Sequence, residues 1–153
     1  MLQNYYLADI NSLTGRTMGK PALLIIDMQN DFVLEGKPLK VTGARAVIPK
    51  IQTVLAEFRK RSLPVFHVLR VHRPDGSDVE IIRKELFARS PFAVGGTKGA
   101  AVIDELTPQT GEYVLTKTRM SAFIGTELDL MLRTLGVTTV YVAGIQTPNC
   151  IRT

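Results

Sequence analysis

Three short apolar runs, set apart by stretches in which apolar residues return every three or four positions, constrain this chain more than any other feature. "ALLIID" (residues 22–27) and "LPVFHVLRV" (63–71) are nearly continuous apolar runs, and "TTVYVAG" (138–144) reads the same way. Runs of this kind are expected of strands covered on both faces, as in a parallel sheet. "EYVLTK" (112–117) is shorter and reads as a more exposed strand. Between the first two runs, "ARAVIPKIQTVLAEFRKRS" places Val47, Ile51, Val54, Leu55 and Phe58 on one helical face. "GTELDLMLRTLG" predicts a second helix, with Leu128, Leu132 and Leu135 inward and Gly136 as its stop. Strand, helix, strand in that order requires parallel strands joined by right-handed crossovers. The expected fold is therefore α/β: an open, mostly parallel, doubly wound sheet with helices on both faces. Residues 1–18 fit no element, so residues 1–20 are expected to be an N-terminal extension and 21–153 the domain.

Composition narrows what such a domain does. The 153 residues are 45% hydrophobic and 22% charged, enough for a core. A net charge of +5 invites a nucleic-acid reading, but the basic residues lie scattered among acidic ones without a polybasic run, and nucleic-acid binding is not expected. No apolar run approaches the ~20 residues that cross a bilayer, and "MLQNYYLADINSLTG" lacks the basic head and apolar middle of a signal peptide. A single cysteine allows no internal disulfide and suits a reducing compartment. A cytoplasmic protein follows as the expectation.

In open α/β sheets, chemistry gathers at the carboxyl ends of the strands. Asp27 closes the first run, Lys117 closes "YVLTK", and Cys150 follows "VYVAG" on the turn "IQTPNC". Each has a plain alternative: an Asp that caps a turn, a solvated Lys, a Cys packed as a small hydrophobe. Together they suit one task. A thiol attacks an acyl carbon as thiolate, which a nearby ammonium and a helix N-terminus would favour. Asp27 would take the thiol proton and return it to a leaving amine. Backbone N–H groups of the turn would meet the oxyanion.

"ALLIIDMQNDFV", "LTKTRMSAFIGTELDLMLRTLGV" and "VYVAGIQTPNCIRT", in that order, resemble the three motif blocks of the isochorismatase-like cysteine hydrolases, a superfamily that includes nicotinamidases and ureidoacrylate and carbamoylsarcosine amidases. The resemblance implies an Asp-Lys-Cys triad at Asp27, Lys117 and Cys150. It implies a covalent thioester acyl-enzyme on a small amide or carbamoyl compound, with no cofactor. It also implies a cis peptide between Ile145 and Gln146 that turns the Gln146 N–H, with that of Cys150, toward the oxyanion. A homo-oligomer is expected. Nicotinamidases of this superfamily carry a metal site on an Asp-x-His run after the second strand. Here "LRVHRPDGSD" has Arg70 where the Asp stands, leaving His72 alone, and His67 reads as a packed strand residue. The expectation is a member of the metal-free branch. Members also continue well past the cysteine, so the domain is expected to be C-terminally incomplete.

Phe32, Arg119 and Phe123 are the substrate-pocket candidates, by proximity to the motifs, with Arg119 suited to a carboxylate. Gln29 and Asp31 are expected to orient or cap the loop after Asp27. "GGTKG" (95–99) matches no phosphate-binding pattern and reads as a flexible loop near the site mouth. A receiver-type phospho-switch is disfavoured because no Asp ends "FHVLRVH". The rival that stands is a non-catalytic relative serving as a binding or scaffold protein.

Overall fold

The computed structural model describes residues 19–37 and 39–151, so the expected N-terminal extension lies almost wholly outside the described residues. Four parallel strands form one sheet: β1 (Lys20–Ile26), β2 (Val65–Arg70), β3 (Tyr113–Lys117) and β4 (Val137–Gly144), in the order β3-β2-β1-β4. Helices α1 (Asn30–Val33), α2 (Ala44–Lys60), α3 (Lys84–Arg89) and α4 (Leu128–Thr134) fill the connections. This is the α/β architecture that the periodicity predicts.

Alternation along β1 divides the core into two layers. Leu23 and Ile25 face α2, where Val47, Ile51, Val54, Leu55 and Phe58 are buried as expected, while Ala22, Leu24 and Ile26 face Leu128 and Leu132 of α4. A strand sandwiched in this way must be apolar on both sides. Among the described residues β4 ends the strand order; its burial alternates, and Val140 and Val142 are each 41% exposed. α4 stops where Gly136 takes a φ of 67°, a conformation that costs a residue with a Cβ.

The register brings the carboxyl ends of the strands level. Ile26 pairs with Val68 and Gly144, and Arg70 pairs with Lys117. Beyond the ladder, Asp27 N–H donates to Val68 O (2.9 Å), Ile145 N–H to Ile26 O (3.1 Å) and Val71 N–H to Lys117 O (3.1 Å). The side chains that follow each strand therefore emerge at one rim. The connection from β2 to β3 folds back over that rim through 3-10 turns at Ile81–Arg83 and Asp104–Leu106 with α3 between them, elements the sequence pattern did not reveal. Residues 95–99 are tied down rather than free. Gly95 N–H donates to His72 O (2.9 Å), Gly99 O accepts from Asp31 N–H (3.0 Å), and Lys98 O accepts from the Asn30 amide (2.8 Å).

Candidate active site

Asp27 leaves β1 with φ 54°, a left-handed conformation that Asp tolerates better than most residues, and its side chain is buried. The loop after it is fixed by Gln29, which is fully buried. Gln29 Nε2 donates to Arg70 O (2.8 Å) and Ala100 O (2.7 Å), and its Oε1 accepts from Arg70 N–H (2.8 Å). Asp31 Oδ2 accepts from Ala93 N–H (2.9 Å). Both residues hold the loop that presents Asp27, the role expected of them.

Lys117, at the end of β3, is buried against that carboxylate. Its Nζ donates to Asp27 Oδ2 (2.9 Å), Arg119 O (3.2 Å) and Met120 O (3.0 Å), which uses all three ammonium protons. The other carboxylate oxygen, Asp27 Oδ1, is buried and makes no hydrogen bond of normal geometry.

Cys150 sits on a five-residue π-helical turn, Thr147–Ile151, that follows β4. Two features aim this turn at the rim. Gly144 has φ 119°, and a Cβ there would lie 2.1 Å from Ile26 O, so only glycine lets β4 end this close to β1. The Ile145–Gln146 peptide is cis, as the resemblance implies. Gln146 O accepts from Asn149 N–H (3.1 Å) and Ile151 N–H (3.2 Å), and the Asn149 amide donates to Gln146 Oε1 (2.7 Å). A cavity of about 90 Å³ opens at the rim and is lined by Asp27, Phe32, Arg70, Arg83, Gln146 and Cys150, among others. Lys117 stands behind it, in contact with Asp27.

The electrostatics correct one expectation. The Cys150 thiol was expected to ionise readily, but burial, and after it the charge of Asp27, push its pKa up, and the opposing pull of Lys117 and Arg70 is smaller. Asp27 also raises the thiol pKa as an acceptor, yet its Oδ1 makes no hydrogen bond of normal geometry. The two groups are neighbours at the same cavity.

Arg70 is a site residue that the sequence reading treated only as a lost carboxylate. It is 2% exposed; its Nη1 donates to Glu80 Oε1 (2.6 Å) and its Nη2 faces Cys150 Sγ at 3.8 Å. Burial works against its charge, but the hydrogen bond and charge of Glu80 more than offset that, and its pKa rises further. Its position at the end of β2, level with Lys117, was the available signal. Arg83, on the 3-10 turn, had none, because the path of that connection is not periodic.

Phe32 lines the cavity. Arg119 and Phe123 do not: Arg119 is exposed and its guanidinium donates to Asp78 O (2.7 Å) and Thr118 O (3.1 Å), and Phe123 is 46% exposed. The loop that carries them turns away from the rim once its carbonyls have wrapped the Lys117 ammonium.

His67 is packed, as expected, with Nε2 2.9 Å from Glu112 Oε2. His72 is buried edge-on to Phe87 and Phe92, and burial pushes its pKa down. Its Nδ1 lies 3.3 Å from Asp78 Oδ1 without forming a hydrogen bond of normal geometry. Among the described residues no group of three His, Cys, Asp or Glu side chains is arranged to hold a metal ion, and the Arg70 guanidinium occupies the position of the Asp in the metal-site run. These residues do not fit the metal site of the nicotinamidases.

Residues 21–153 match the isochorismatase domain family. The chain is 42% identical over 134 residues to a probable inactive nicotinamidase of Arabidopsis thaliana, covering 86% of this chain and 68% of that protein. It is 36% identical to a maleamate amidohydrolase of Pseudomonas putida, covering 87% of this chain and 62% of the relative. A crystal structure of an isochorismatase family protein from Desulfovibrio vulgaris superposes with a TM-score of 0.85 at 51% identity, covering 88% of this chain and 72% of that one. The chain thus spans only part of the length of each of these proteins.

Proposed function

The chain belongs to the isochorismatase family, and from that premise we propose that it is a cysteine hydrolase cleaving the C–N bond of a small amide or carbamoyl compound through a thioester. The observation that carries this reading is the buried Asp27: one carboxylate oxygen is held by Lys117, the other is left over by that ion pair, and Asp27 lines the same cavity as Cys150, on whose thiol it acts as a neighbouring acceptor. A base kept from water with one oxygen open is suited to taking a thiol proton.

As the Cys150 sulfur attacks the carbonyl carbon, its proton passes to Asp27 and a C–S bond forms. The Gln146 and Cys150 backbone N–H groups receive the oxyanion. Collapse breaks the C–N bond, and the departing nitrogen takes the proton from Asp27. A water then gives a proton to Asp27 and its oxygen to the thioester carbon, and the C–S bond breaks as the thiol is reformed. Lys117 holds Asp27 in place throughout and keeps its charge compensated.

A panel of small amides that includes maleamate, assayed for ammonia or amine release beside Cys150→Ala, tests this. Release that depends on Cys150 is expected, and equal release from both proteins refutes the nucleophile assignment. One observation favours a second reading: the Arabidopsis relative is a probable inactive nicotinamidase. A non-catalytic binding protein would hold amides of the panel without turnover, measurable as a ligand-induced rise in melting temperature that Cys150→Ala leaves intact.

A further inference from the structure

The chemistry above employs Asp27, Lys117 and Cys150 and leaves Arg70 without a task. A guanidinium 2% exposed is costly to bury, and Arg70 repays little of that as a fold element, because among the described residues its one ion pair is with Glu80 on an adjoining loop. Its geometry is directed. The guanidinium is a rigid planar fork. Glu80 Oε1 takes one prong at 2.6 Å, and the other, Nη2, is thereby aimed at Cys150 Sγ, 3.8 Å away. A neutral thiol is a weak acceptor at that distance, whereas a thiolate makes a shorter, charge-assisted bond to the same group.

We propose that Arg70, clamped by Glu80, is the second cationic partner of the Cys150 thiolate, so that a guanidinium as well as the Lys117 ammonium sets how readily the sulfur loses its proton. The proposal rests on the reading of Cys150 as the nucleophile and adds a catalytic residue to it. The charged groups that act on the sulfur are Asp27 from the end of β1, Lys117 from β3 and Arg70 from β2; Glu80 faces Arg70, Arg83 lines the same cavity, and His72, with Asp78 beside it, lies near Arg70 and Glu80. Asp27 disfavours the thiolate, and Lys117 and Arg70 favour it. Glu80 divides the charge of Arg70 between itself and the sulfur, which makes the pair a means of grading thiolate stability. Its other oxygen, Oε2, is buried without a hydrogen bond, so Arg70 is its principal restraint.

The test follows alkylation of Cys150 by iodoacetamide, read by mass spectrometry across a pH series, in the wild type, Arg70→Met, Arg70→Lys and Glu80→Gln, with folding checked by thermal melts. Arg70→Met is expected to move the alkylation midpoint up by about one to three pH units, with a tenfold lower rate per unit at a pH below both midpoints. Arg70→Lys should restore part of the shift. Glu80→Gln should move the midpoint down, because the carboxylate that competes for Arg70 is gone. An Arg70–Glu80 pair that only braces the fold, with its charges not reaching the sulfur, leaves both midpoints where they are in the wild type. Shifts of the same sign, or none in folded protein, overturn the proposal. If Arg70→Met does not fold, Glu80→Gln decides alone: a downward shift supports the proposal and an unchanged or raised midpoint ends it. Alkylation needs no turnover, so a failed amide panel with the expected midpoints would retire the hydrolase reading alone, and the reverse result would retire this inference alone.

Discussion

Replacing Lys117 with methionine should destabilise the protein by about 3 to 5 kcal/mol at neutral pH, the cost of leaving one member of a buried ion pair uncompensated. The Lys117 side chain is 0% exposed, that of Asp27 is 6%, and Nζ lies 2.9 Å from Oδ2. At that separation an effective dielectric constant of ~20 gives an attraction of about 6 kcal/mol, from which desolvation of both ions must be subtracted. Methionine fills a similar volume, so the loss comes from charge and from the hydrogen bonds to Arg119 O and Met120 O rather than from a cavity. Asp27→Asn keeps the shape and tolerates the left-handed backbone. In the double variant Asp27→Asn/Lys117→Met no charge is left stranded. Urea unfolding of the four proteins at pH 7 forms a double-mutant cycle, and a favourable coupling of at least ~1.5 kcal/mol is expected. If Lys117→Met costs under ~1 kcal/mol, or the two changes add to within ~0.5 kcal/mol, the two residues do not act as the buried pair described.

Three further outcomes are expected. Burial would raise the Glu112 pKa, but hydrogen bonds from Arg59, the Gln109 N–H and His67 outweigh it and hold it at about 2 against an ordinary 4.5. A depressed carboxyl contributes stability above its unfolded pKa and loses it as pH falls through the folded one. Screened by the solvent that reaches Glu112, that shift makes Glu112→Gln cost about 1 to 2 kcal/mol at pH 7, with the gap to wild type closing between about pH 4.5 and 2; a gap independent of pH contradicts this. Gly144→Ala, whose Cβ would meet Ile26 O at 2.1 Å, should lose at least ~2 kcal/mol in denaturant unfolding, and wild-type stability would show that β4 does not end as described. Gln29→Ala strands the buried Arg70 and Ala100 backbone groups and should cost at least ~2 kcal/mol of stability; in the protein that remains folded it should lower kcat more than raise KM, because it holds the Asp27 loop without touching substrate, and an effect on KM alone would assign it to binding instead.

The sheet was legible because burial on both faces leaves residues 22–26 of β1 no polar position, and because α2 repeats its apolar face over 17 residues. β4 has the composition of an interior strand, and among the described residues it stands at the end of the strand order. Asp27, Lys117 and Cys150 were legible from their places after strands, which the level register of the ladder turns into one rim. The state of the thiol was not, because burial is a property of the assembled site and here outweighs the nearby cations. Arg119 and Phe123 were chosen by proximity in sequence, which fails once a loop reverses after giving its carbonyls to Lys117. Arg83 reaches the cavity along a connection with no period to read.

The central claim is that the Cys150 sulfur carries the acyl group. Denaturing mass spectrometry after rapid quench with an activated small acyl compound, followed by peptide mapping, tests it most directly. The account predicts one acyl group on the peptide bearing Cys150, absent from Cys150→Ser and slow to form in Asp27→Asn. Acylation at another residue, or amide turnover that persists in Cys150→Ala, would contradict it.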